Sequence, residues 1–89
     1  MRDAMLEREV FMREFGKDMK KARREQGMTQ SDLAAQMQLA GYDVDGLRIS
    51  RLERAQRTLT AEELLVLASI LFIDLNRYSQ AYIGRLQTA

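Results

Sequence analysis

No proline interrupts any of the 89 residues, and nowhere do apolar and polar side chains alternate in the period-two pattern of a half-buried strand. Apolar residues recur instead at three- and four-residue steps. Met12, Phe15, Met19 and Ala22 do so along the first long segment, which is the spacing of one helix face. These features predict an all-α chain, and 89 residues allow one small domain around one core. Lys17, Lys20, Lys21, Arg23 and Arg24 fall on the other faces of that first helix. It is expected to run to Glu25 or Gln26 and to stop at Gly27 in a left-handed conformation. Residues 1–11 extend this helix, form a separate one, or are disordered; their pattern does not choose among the three.

Later helices announce themselves by their caps. Thr29 is a candidate N-cap, with Asp32 three residues on, and Leu33, Ala34 and Met37 form an inner face. The stretch QLAGYDVDG breaks the pattern at Gly41 and Asp43. Asp45 suits the N-cap of a third helix beginning near Gly46, with Ile49 and Leu52 inward and Arg48, Ser50, Arg51 and Arg54 outward. Thr60-Ala61-Glu62-Glu63 is a capping box before an apolar run reaching about Leu71. Asp74 can cap a fifth helix directed towards Leu86.

Composition narrows the chemistry. With no His and no Cys, a Cys/His zinc site, a disulfide framework, a thiol nucleophile and His-based acid–base catalysis are excluded. No Gly-rich phosphate loop and no clustered carboxylates at ligand spacing appear. The expectation is therefore a non-enzyme without cofactor or metal. The densest apolar stretch, Leu64 to Ile73, is about half of the roughly 20 residues a spanning helix needs. The opening MRDAMLEREV lacks the apolar core of a signal peptide, so a cytoplasmic protein without membrane contact is expected.

Net charge is +1, so the distribution of charge matters more than its sum. Between Arg13 and Arg57 there are ten basic and seven acidic residues. Arg48, Arg51, Arg54 and Arg57 recur every three residues with only Glu53 opposing them. Arginine presents a two-pronged donor that fits guanine or phosphate, and such a series can neutralise several phosphates. The same series also fits a solvated helix face. Gln30 is either a contact to adenine or phosphate or a plain first-turn residue. Glu53 reads as a structural acceptor for a neighbouring Arg or backbone N–H, and Met12, Met19 and Met37 as core fillers.

Two stretches, GMTQSDLAAQM (27–37) and VDGLRISRLERAQRTLTAEELLVLASIL (44–71), together resemble the helix-turn-helix domain of the Xre/Cro family, the lambda-repressor-like DNA-binding fold. The family pattern is a Gly, an apolar residue, Thr-Gln and Leu-Ala, then a recognition helix ending in Ile-Ser-x-Ile-Glu-x-Gly, then a Leu-rich helix. The resemblance covers about Met12 to Tyr78. It implies a compact five-helix domain at 12–78, with an extension at 1–11 and a helical extension at 79–89. It implies double-stranded DNA as partner, with the third helix entering the major groove N-terminus first. By matching position, Gln30, Gly46, Leu47, Ser50 and Arg51 face DNA and Arg48 lies beside them; Arg54 and Arg57 complete the candidate DNA-binding set.

The chain departs from the pattern in several places. The turn before the third helix is about five residues longer than the short family form and carries Asp43 and Asp45. That loop either touches the DNA backbone through Tyr42 or swings away. Gly46 has no side chain to read a base, and Leu47 reaches only a thymine methyl or a sugar. Ala55 stands where a helix-ending Gly is usual, and a left-handed Ala costs roughly 1 kcal/mol. Val66 and Phe72 replace a polar residue and a Gly, which makes the fourth helix apolar nearly all round. Leu75, Tyr78, Tyr82 and Leu86 form a further stripe. It forms a homodimer seam or packs back on the first helix. The expected function is a sequence-specific transcriptional regulator, a repressor, acting as a dimer. The alternative is a protein-interaction module on the same scaffold, with a partner at Val66, Phe72, Tyr78 and Tyr82.

Overall fold

The computed structural model describes residues 4–80, with side chains from Arg8 onward. Tyr82, Leu86 and most of the expected 79–89 extension lie outside the described residues. Within them the chain is helical: α1 (Ala4–Glu25), α2 (Gln30–Leu39), α3 (Gly46–Glu53), α4 (Ala61–Leu71), and α5 beginning at 76–80. There is no strand among the described residues. From Ala4 onward the N-terminal segment continues α1 without a break.

The starts of α2 to α5 are built from the caps their sequence advertises. The Thr29 hydroxyl accepts from Asp32 N–H at 3.0 Å, and the Asp32 carboxylate accepts from Thr29 N–H at 2.9 Å. Donation from the Thr29 backbone N–H, and then the Thr29 side chain, hold the Asp32 carboxyl below its ordinary pKa. Asp45 accepts from Arg48 N–H at 2.8 Å, and Asp74 from Asn76 N–H at 3.0 Å. Thr60 and Glu63 close a reciprocal box, each accepting from the other's backbone N–H at 3.1 and 2.9 Å. A hydroxyl cap such as Thr60 contributes about 1 kcal/mol.

Four helix ends turn through a left-handed residue: Gly27, Gly41, Ala55 and Phe72. The residue after each donates back to a carbonyl five positions earlier, as in Gln56 N–H to Arg51 C=O at 2.8 Å and Ile73 N–H to Ala68 C=O at 2.9 Å. Ala55 takes φ 58° and Phe72 φ 57°, so both bear the cost that glycine avoids.

The core gathers Phe15, Met19, Leu33, Met37, Ile49, Leu52 and Leu67, all fully buried. Val44, in the long turn, joins them. It fixes the turn's path: Gln38 Nε2 donates to the Val44 carbonyl at 2.8 Å, and half-buried Tyr42 packs against the core. Loss of solvation, and then the neighbouring Glu62 carboxylate, raise the Tyr42 hydroxyl pKa. At Gly16 the α1 backbone comes close to the end of α3. A Cβ there would lie 2.6 Å from the Glu53 carbonyl oxygen, inside van der Waals contact.

Two expectations for α1 and the C-terminal stripe change. Arg23, placed on an outer face by its neighbours in sequence, is buried and turned towards Glu53. Helical geometry puts residue 23 four positions after Met19, on the inner face. Tyr78 packs on its own chain: its ring meets Phe11 and Phe15 edge-on at 5.4 and 5.7 Å, and its hydroxyl donates to Asp18. Asp18 also receives Arg77, so α5 is tied to α1. No helix among the described residues is long and apolar enough to cross a membrane.

Candidate nucleic-acid interface

The N-termini of α2 and α3 meet at one edge of the molecule. Gly46 makes this possible: a Cβ on it would lie 3.3 Å from Ser31 Oγ and 3.7 Å from Ser31 Cα. The absence of a side chain at 46, which removes a base-reading group, lets the two helix starts close together. Both present backbone N–H groups and the positive ends of their dipoles at this edge. Thr29 and Asp45 occupy part of that capacity as caps. Ser31 belongs to this edge and escaped the sequence reading; its only signal was the glycine opposite it.

The outward side of α3 continues from there. Leu47 is 53% exposed. Ser50 and Arg51 are half-buried, and among the described residues neither side chain has a hydrogen-bond or ion-pair partner. Arg54 and Arg57 are exposed. Their guanidinium groups donate only to backbone carbonyls, Ser50 at 3.3 Å and Gln56 at 3.1 Å.

Two members of the sequence-derived set have carboxylate partners inside the domain. Gln30 Nε2 donates to Glu53 Oε1 at 3.1 Å. Arg48 is held more firmly: its Nε and Nη2 donate to the two Glu63 oxygens at 2.7 and 2.6 Å, and Nη2 also reaches the Thr58 carbonyl at 3.4 Å. The Arg48 fork, with the Thr60 cap, holds the Glu63 carboxyl below its ordinary 4.5, and Glu63 in turn raises the Arg48 pKa. Arg48 thus faces α4, and the three-residue arginine rhythm splits into one internal member and three outward ones.

Behind the interface, Arg23 Nε and Nη2 donate to Glu53 at 2.7 and 3.0 Å, and Nη1 donates to the Met28 carbonyl at 2.9 Å. One carboxylate therefore joins the end of α3 to α1, to the turn before α2 and, through Gln30, to α2 itself.

The Helix-turn-helix family model (HTH_3) matches residues 19–78, which contain both helix starts, the Arg23 and Glu53 pair, and α4. No curated protein and no solved structure matches the chain. A match over most of the chain, on a fold with these helices in this order, means that the protein belongs to the Xre/Cro-type helix-turn-helix family of DNA-binding domains.

Proposed function

We propose that this protein is a sequence-specific transcriptional regulator that represses by occupying its site as a dimer. The observation that carries the reading is the paired edge of α2 and α3, continued by Leu47, Ser50 and Arg51. In this reading Arg51 reads a base edge, and Gln30, Arg54 and Arg57 contact phosphates or bases nearby. Arg48 orients α3 through Glu63 rather than touching DNA. The protein binds and does no chemistry on its ligand.

The dimer is supported by a different feature. Phe72, at the end of α4, is 86% exposed in a left-handed conformation that a bulky residue rarely takes, and Leu65, seven residues earlier on α4, is 59% exposed. A second copy covering this face offsets the backbone cost. Val66 is half-buried against the core, and Tyr78 is occupied by Phe11 and Phe15, so Phe72 and Leu65 take over the seam. The same exposed pair favours the second reading, an interaction module whose partner is another protein.

Selection from a random duplex pool tests the reading, followed by anisotropy titrations at several salt concentrations. The expected result is an enriched palindrome, affinity falling steeply with salt, and a loss of about 1–3 kcal/mol of discrimination in Arg51→Ala. No enrichment, with wild type and Arg51→Ala binding equally weakly, rejects it in favour of the interaction module. For the dimer, Phe72→Gly should stabilise the isolated chain by about 1 kcal/mol while weakening self-association in sedimentation. Unchanged association rejects this seam.

A further inference from the structure

A groove of about 500 Å³ lies between the N-terminal half of α1 and the turn that follows α3. Arg8 and Arg13 line it from α1, and Arg54 and Arg57 from the turn; Glu9 is the only carboxylate in the lining. None of the four arginines has a carboxylate partner among the described residues. The left-handed Ala55 sits in the lining between Arg54 and Arg57. Four guanidinium groups against one carboxylate repel one another unless an anion joins them. Their planar forks match phosphate oxygens two at a time. The volume is that of a small-molecule site.

We propose that this groove binds a free oligophosphate, a small ligand carrying two or more adjacent phosphate groups, and that the ligand competes with DNA for Arg54 and Arg57. The competition rests on the DNA-binding reading above; the binding of the ligand does not. Two walls of opposed arginines favour a small ligand over a duplex. A duplex presents its phosphates on the outside of a rod, whereas Arg8 and Arg13 line one side of this groove and Arg54 and Arg57 the other.

Inorganic tripolyphosphate is the probe, titrated calorimetrically into the full chain at fixed ionic strength. One saturable site per chain is expected. Arg8→Ala/Arg13→Ala should weaken it about tenfold or more with an unchanged melting curve, because two charge-assisted contacts are lost. Lys17→Ala/Lys20→Ala removes the same charge from α1 outside the groove and should leave binding within about threefold. Absence of saturation, or an equal loss in both double variants, overturns the proposal. Tripolyphosphate should also displace duplex from the wild type and fail to do so from Arg8→Ala/Arg13→Ala. If the wild type binds no duplex, the DNA reading fails while the calorimetric result still decides the groove. If Arg8→Ala/Arg13→Ala loses duplex affinity and the wild type ignores tripolyphosphate, the groove is part of the DNA footprint and the proposal is overturned.

Discussion

Glu53 and Glu63 each receive an arginine fork and a third hydrogen bond, but the surroundings of the two arginines differ. Glu53 takes Arg23 from α1 and Gln30 from α2. Glu63 takes Arg48 from α3 and its own cap, Thr60 N–H. The Arg23 side chain is 7% exposed and the Arg48 side chain 29%. If Glu53 is removed, a guanidinium is stranded in the core. If Glu63 is removed, Arg48 can turn to water. The same bonding pattern therefore makes one pair a structural lock and the other an adjustable brace on α3.

Removing the two carboxylates measures that difference. Glu53→Ala should cost about 3–5 kcal/mol in urea unfolding, because it leaves the Arg23 charge buried and unpaired. Glu63→Ala should cost roughly 1–3 kcal/mol, from a lost cap and a partly exposed pair. Equal losses would erase the distinction. Acid gives a milder version of the second test. The folded-state pKa of Glu63 is depressed, so its contribution is present above the ordinary 4.5 and is lost as pH falls through the lower folded value. The melting temperature should drop from pH 5 towards pH 3, and less so in Glu63→Gln. Gln30→Ala, which removes only the neutral third donor on Glu53, should have the smallest effect, about 0.5–1.5 kcal/mol.

The same pair explains what could be read in the chain and what could not. The caps at Thr29, Asp45, Thr60 and Asp74 were legible because donor and acceptor lie two or three residues apart. Glu53 was legible as a structural acceptor, but its arginine was not. Arg23 sits among Lys20, Lys21 and Arg24, and only the turn of the helix separates it from them. Arg48 was unreadable for a related reason. Its acceptor lies fifteen residues on, in a capping box that already accounted for Glu63. Tyr78 could have faced outward or inward by spacing alone. The aromatic surface of Phe11 and Phe15 on α1 decided the matter, and Tyr78 meets it only once α5 folds back over α1. The left-handed position of Ala55 could be anticipated from its place at a helix end. The groove beside it could not, since its walls come from segments some forty residues apart.

The contact at Gly16 gives α3 a fulcrum. There, backbone meets backbone at the far end of the helix from the paired edge of α2 and α3, with no side chain to give way. An added methyl group at 2.6 Å has to push the Glu53 end away by nearly an ångström to reach ordinary contact. A helix of eight residues is only about 12 Å long, so that push pitches it by roughly 4°. A lever this short magnifies nothing, but it transmits the displacement without slack. The angle at which Leu47 and Arg51 are presented is therefore set at the other end of α3, by a position on a different helix.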